Sequence, residues 1–189
     1  MRVISGIYKG RILSSPISDT EVRPTTDRAK ETLFNILTNR YSFEHKYCLD
    51  IFCGTGSLGI EFLSRGGAGC TFVDSDLKTI KQNISLLKLE NNSHSVRSEA
   101  ILFLKANTDK KFDFIFADPP YSYKKFADLL PAVSVYNSIL ILEHDKNFSA
   151  GAEFEEYVFL TKKIGFSNFT FFDFNKNYEK NHSSLSRNF

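Results

Sequence analysis

Four short segments place carboxylates or a glycine-rich turn where apolar runs stop: Asp50 to Gly56, Asp74-Ser75-Asp76, Glu99-Ala100 and Asp118-Pro119-Pro120-Tyr121. The last is the most specific. Two successive prolines after an apolar run fix a rigid, extended loop. Such a loop offers two acceptors, the Asp118 carboxylate and the Pro119 carbonyl, and a Tyr121 ring on which a planar base can stack. An exocyclic amino group has its lone pair delocalised into the ring. Hydrogen bonds to both of its N–H groups hold it so that the lone pair can point at an electrophilic carbon, and transfer becomes a matter of positioning. No strong base is required, because the proton can leave afterwards to Asp118 or to water. A plainer reading is an N-capping Asp118 with a proline at the first position of a helix.

The other three segments suggest what carries the transferred group. Gly54-x-Gly56-x-x-Gly59, with Asp74 twenty residues beyond Gly54, matches the dinucleotide fingerprint and keeps nicotinamide-linked oxidoreduction as a rival. Asp50 argues against it. A carboxylate aimed into the loop repels a dinucleotide's phosphates and attracts an ammonium. S-adenosylmethionine has an ammonium, a sulfonium and no phosphate. On that reading the loop allows close backbone approach, Asp50 faces the methionine end, Asp74 accepts the ribose hydroxyls and Glu99 accepts the adenine amine. Phe52, Thr55, Ser75 and Ala100 complete the expected cofactor contacts. Singly, each segment has a plainer explanation: a tight turn at Gly54-x-Gly56, an N-cap at Asp74, a first-turn carboxylate at Glu99. Three such coincidences at successive strand ends are improbable.

These residues need a scaffold that brings strand ends together. Arg2 to Pro16 reads as a small β-hairpin turning at Ser5-Gly6. A helix follows with Ala29, Leu33, Phe34, Ile36 and Leu37 at helical spacing and Thr25 or Thr26 as its cap. Strands are expected at 48–52, 70–73, 95–97, 112–117 and 138–142. Helices are expected through Leu58, Ile60, Phe62 and Leu63, closed by Arg65-Gly66-Gly67, and over 77–89 and 100–105. Alternating units of this kind predict a mostly parallel sheet covered on both faces. Residues 157–160 and 169–172 flank a link too short for a crossover helix and should pair antiparallel. The expected fold class is α/β, a Rossmann-like seven-stranded sheet with an antiparallel last strand and an N-terminal β-hairpin. Its ligands should sit at the carboxyl ends of the strands. The expected division is 1–20 for the hairpin extension, 21–174 for the main domain and 175–189 for a polar tail.

Composition sets the outer limits. With 189 residues and 42% hydrophobic content the chain suits one domain with a real core. Cys48, Cys53 and Cys70 lack the paired spacing of a zinc site and fit reduced thiols in a cytoplasm; no metal is expected. No apolar run reaches the length of a membrane span. The net charge of +2 hides a pattern: residues 1–40 carry 7 basic against 4 acidic groups, residues 41–174 carry 14 against 17, and residues 175–189 carry 3 against 1. Nucleic-acid contact, if any, belongs to local basic patches such as Arg2, Tyr8, Lys9, Arg11, Arg23 and Arg28, placed beside the crevice. Scattered surface charge is the alternative.

Arg2-Val3-Ile4-Ser5-Gly6, Lys9-Gly10-Arg11, Arg23-Pro24-Thr25-Thr26-Asp27-Arg28, Glu31 to Asn35, Leu49 to Glu61, Leu63 to Gly66 and Asp118 to Tyr121 together resemble the bacterial small-subunit ribosomal RNA guanine-N2 methyltransferases of the RsmD type. The resemblance runs from residue 2 to about Phe172. It implies a class I S-adenosylmethionine-dependent methyltransferase fold of seven strands. It also implies a guanine in 16S RNA as target, within a small-subunit particle or assembly intermediate. By position, Asp50, Gly54, Gly56, Asp74 and Glu99 would bind cofactor and Asp118 to Tyr121 would hold the guanine. Cys53 stands where a small residue is usual, with oxidation sensitivity as the consequence if it is exposed. The reading is thus of a cytoplasmic, monomeric rRNA methyltransferase whose target base is flipped or unpaired. An adenine-N6 methyltransferase and a non-catalytic RNA-binding assembly factor remain as alternatives.

Overall fold

Runs such as Cys48-Leu49 and Phe114-Ile115-Phe116 bury residues of both parities, so their strands must be covered on both faces. A computed structural model describes residues 1–15, 27–120, 122–165 and 167–175. Arg23, the cap at Thr25 or Thr26, Tyr121 and the polar stretch 176–189 lie outside the described residues. The strands are β1 (Tyr47–Ile51), β2 (Gly69–Asp74), β3 (Ser93–Arg97), β4 (Phe114–Ala117), β5 (Ile139–His144), β6 (Val158–Ile164) and β7 (Ser167–Asp173). They form one sheet in the order β3-β2-β1-β4-β5-β7-β6. The first five are parallel to one another, and β7 runs antiparallel to both β5 and β6.

Helices α1 (Asp27–Thr38), α2 (Ser57–Ser64) and α3 (Lys78–Leu87) cover one face. They pack on Cys48, Phe72, Phe114, Phe116, Ile139 and Ile141. Helices α4 (Ala100–Ala106) and α5 (Phe126–Ser134) cover the other, against Leu49, Ile51, Val73, Ile115, Leu140 and Leu142. Alternation along each strand therefore feeds two cores. Helix α5 has no counterpart in the sequence reading. Pro131 lies inside it, and its buried anchors are only Leu129, Leu130 and Val133.

Boundaries move for identifiable reasons. Strand β4 begins at Phe114 rather than Phe112, because the Asp113 carboxylate accepts from the Tyr47 N–H and Lys46 Nζ, both at 2.9 Å. Strand β5 extends past Leu142, since Glu143 and His144 continue to pair with β7. The expected N-terminal hairpin is present in its shortest form, a single antiparallel bridge between Arg2 and Ile12. Hydrogen bonds from the Val3 N–H to the Arg11 carbonyl and from the Leu13 N–H to the Met1 carbonyl flank it. Among the described residues no helix is long and apolar enough to cross a membrane.

Candidate active site

The chain leaves β1 for β2 and β3 and then returns to β4 on the other side of β1, so the strand order reverses between β1 and β4. A crevice opens at the carboxyl ends there, as doubly wound sheets require. Register then fixes the occupants. Ile51 pairs with Val73 and with Ala117, and Ala117 with Leu142. The next residues, Asp74, Phe52, Asp118 and Glu143, follow at one level across four strands spaced about 4.8 Å apart.

A cavity of about 460 Å³ lies at this edge, lined by Phe52, Val73, Asp74, Ser75, Ser98, Glu99, Ala100, Ile101, Pro120, Ser122, Tyr123, Lys124 and Lys125. Six of the expected residues, Phe52, Asp74, Ser75, Glu99, Ala100 and Pro120, are in that wall. The plainer explanations hold in part. Helix α3 starts at Lys78, so Asp74 is not a helix cap, its Oδ1 accepting from the Asp76 N–H at 3.1 Å. Glu99 is exposed at the N-cap of α4 without a side-chain capping bond. Gly54-Thr55-Gly56 is a tight turn, the Gly56 N–H donating to the Cys53 carbonyl at 2.7 Å. No helix follows Asp118 directly, since α5 begins at Phe126. Asp118 is half-buried, Pro119 is buried and Pro120 is exposed, its carbonyl accepting from the Tyr123 N–H at 2.8 Å.

Gly54, Thr55 and Gly56 form the adjoining loop rather than the cavity wall. Gly54 has φ +52° and nothing within 4 Å of where a Cβ would stand, leaving room for a close ligand. Its N–H donates to Asp74 Oδ2 at 2.8 Å. That bond ties the loop to the end of β2. Gly56 has a packing role: a Cβ there would lie 2.1 Å from Ile80 Cδ1.

Asp50 is a correction. Expected to face the cofactor, it is instead buried beneath the loop, because strand alternation turns it with Cys48 toward the α1–α3 face. Its Oδ2 accepts from the Gly59 N–H at 2.9 Å, holding the first turn of α2. Burial pushes its carboxyl well above the usual range, and Asp118 and Asp74 push the same way against the Gly59 bond. Cys53 is also buried and its thiol is pushed up, which removes the oxidation sensitivity that exposure would bring.

The basic residues divide. Lys30 Nζ donates to the Arg2 carbonyl at 2.7 Å and to Ser57 Oγ at 3.1 Å, which places Arg2 and the first turn of α1, with Arg28, at the crevice end of α2. The Ile7 N–H donates to the Ser64 carbonyl and the Tyr8 N–H to Ser64 Oγ, placing Tyr8 and Lys9 at the opposite end of that helix. Tyr8 also packs partly into the core, so it does not lie beside the crevice as expected. Arg11 is exposed between the two ends.

Tyr123, Lys124 and Lys125 also line the cavity, although no motif in the sequence singled them out. Tyr123 meets Phe52 edge-on with ring centres 5.0 Å apart, and Phe126 beyond it at 5.2 Å. Burial chiefly pushes its phenol up to about 12. The aromatic spacing Tyr121, Tyr123, Phe126 was the available signal.

A doubly wound sheet of this order, ending in an antiparallel pair and carrying carboxylates at the switch point, is the class I S-adenosylmethionine-dependent methyltransferase fold. The chain belongs to the family described as "Conserved hypothetical protein 95", which matches residues 1–173. It is 41% identical over 156 residues to "Putative rRNA methyltransferase YlbH" of Bacillus subtilis, covering 77% of this chain and 83% of that protein. It is 37% identical over 155 residues to "Ribosomal RNA small subunit methyltransferase D" of Buchnera aphidicola subsp. Acyrthosiphon pisum, covering 78% and 79%. A solved structure titled "Putative methyltransferase yhhF from Escherichia coli" superimposes with a TM-score of 0.75 at 28% identity, covering 92% of this chain and 97% of that one.

Proposed function

We propose that the protein transfers a methyl group from S-adenosylmethionine to the N2 amine of a guanine in small-subunit ribosomal RNA. It would act in the cytoplasm, as a monomer, on a small-subunit particle or an assembly intermediate. The observation that carries the reading is the Asp118-Pro119-Pro120 segment. It leaves β4 well before α5 begins at Phe126, at the switch point, one strand from Phe52 and the loop joined to Asp74. The names of the two sequence relatives supply the RNA class, and the resemblance described above supplies the guanine.

The donor set suits the cofactor: Asp74 for the ribose hydroxyls, Glu99 and Ala100 at the adenine end, and the open space at Gly54 for the methionine end. Bound there, S-adenosylmethionine supplies an electrophilic sulfonium methyl. Asp118 and the Pro119 carbonyl accept the two N–H bonds of the target amine, turning its lone pair toward that carbon. Tyr123, in the cavity wall, offers a ring to the base, and stacking on Tyr121 is the sequence expectation. The methylated amine would be cationic, the sulfur leaving as a neutral thioether, and Asp118 or water would take its proton.

Asp118 and Pro119 would serve an adenine N6 amine equally well. Mass spectrometry of nucleosides from ribosomal RNA of a deletion strain separates the two. Loss of N2-methylguanine is expected; loss of N6-methyladenine with N2-methylguanine untouched overturns the proposal. An Asp118→Ala strain should reproduce the deletion, whereas a non-catalytic assembly factor would tolerate it.

A further inference from the structure

We propose that the N-terminal arm, residues 1–15, is part of the cofactor site. Asn83 and Lys30 hold it against the glycine-rich loop, so that cofactor binding and engagement of the arm by RNA reinforce one another. The second half rests on the reading above that the arm meets RNA.

Asn83 lies on α3 and is fully buried. Its Oδ1 accepts from the Ser14 N–H at 2.7 Å, and its Nδ2 donates to the Ser14 carbonyl at 3.1 Å and to the Thr55 carbonyl at 2.9 Å. Both donors of this amide and one lone pair are thus spent on two segments, the arm and the cofactor loop. Lys30 repeats the pattern from α1, bonding the Arg2 carbonyl and Ser57 Oγ, and the Thr55 hydroxyl reaches Met1 Sδ at 3.7 Å. Gly54, the position with open space, is therefore pinned on one side by Asp74 and on the other by a Thr55 that the arm helps to fix.

Lifting the arm would strip a buried amide and a buried ammonium of partners. A group left without a partner in the interior costs far more than the bond itself contributes. The form of the loop is therefore coupled to the position of the arm. Any ligand that fixes the arm then strengthens cofactor binding, and linkage makes the effect reciprocal. Asn83 and Lys30 are positioning residues, acting through the loop.

The test is calorimetric titration of the full chain with S-adenosylmethionine, for wild type, Asn83→Ala and Gly6→Ala. Gly6 sits at the far end of α2, has φ +81°, and a Cβ there would lie 1.7 Å from the Ser64 carbonyl oxygen. Alanine at that position loosens the arm's tip without touching the loop. Both variants should bind cofactor about tenfold more weakly, the loss of a buried bond or two. The KM for the cofactor should rise while kcat at saturating cofactor is kept. In wild type, small-subunit ribosomal RNA should tighten cofactor binding, and that factor should fall toward one in the variants. Unchanged cofactor affinity in both variants, at a temperature where circular dichroism shows them folded, overturns the proposal. RNA that binds wild type without altering cofactor affinity overturns the linkage. RNA that does not bind at all overturns the RNA reading, while a cofactor defect in the variants still supports the arm's positioning role.

Discussion

Asp50 and Asp118 stand one strand apart at the same edge, and their surroundings give them opposite work. Asp50 is enclosed, hydrogen-bonded to a backbone amide and biased toward its neutral form by burial. It shapes the loop. Asp118 is half-buried where β4 ends, its backbone fixed by two prolines, and can meet a ligand. Asp118→Ala should therefore lower kcat about a hundredfold, the scale of a misplaced reacting group. Cofactor affinity should change by less than roughly threefold, since under one kcal/mol separates such values. Asp118→Asn keeps an acceptor oxygen and should fall between the two. Incorporation of labelled methyl groups under single-turnover conditions, with a parallel cofactor titration, checks both parts. A loss confined to cofactor affinity would place Asp118 in the wrong role.

At the scale of elements, one buried cluster joins the arm to two helices. Glu61 on α2 accepts from the Ile4 N–H at 2.7 Å, the Ser5 N–H at 3.0 Å and Arg65 Nε at 2.8 Å, with Lys30 Nζ 3.8 Å away. Burial lowers the Lys30 pKa although Glu61 opposes the shift. Glu61→Ala would leave an unpaired buried ammonium and two free amides, and should cost about 3–5 kcal/mol in a urea melt. A second prediction concerns the end of β5. His144 Nδ1 meets the Asp145 carbonyl at 2.7 Å and Nε2 meets Thr170 Oγ1 at 2.8 Å on β7. Burial lowers its pKa below 6.5. The unfolded chain then binds the proton more readily, so this contribution is complete above pH 6.5 and is lost as pH falls through the folded value. The urea midpoint of wild type should drop between pH 6.5 and 5 more steeply than that of His144→Gln. The same elements show how far the sequence carries. Strands β1 and β4 and the segment after β4 are legible because apolar runs and prolines act on their immediate neighbours. The side to which Asp50 turns was also present in its parity with Cys48. The Glu61 anchor was not legible, since Ile4 and Ser5 are brought to it by tertiary packing alone. Helix α5 was hidden by a proline that its place in the fold tolerates.

At the scale of the whole molecule, basic groups are separated along the length of α2, about 12 Å for eight residues. Arg2 and Arg28 stand at the crevice end, Lys124 and Lys125 line the cavity, and Lys9 stands at the other end of α2. Arg2 is held by Asp27 at 3.0 Å, but both side chains are exposed, and such a pair yields readily to a phosphate. A short single-stranded RNA that fills only the crevice should therefore use Arg2 and Arg28 and leave Lys9 in water. Each phosphate contact on a single strand contributes about 0.7 to the slope of log affinity against log salt. Changing Arg2 and Arg28 together to Ala should flatten that slope by up to about 1.4, whereas Lys9→Ala should leave it unaltered. On an intact small-subunit particle, whose surface extends past the crevice, Lys9→Ala should flatten the slope as well, and cofactor affinity without RNA should be untouched by it. Filter-binding titrations of both RNAs across a salt series distinguish the two lengths. Equal effects of Lys9 and the arginine pair on the short RNA would mean that the strand runs along the arm rather than into the crevice, and the assignment of the crevice end as the RNA's point of entry would fail.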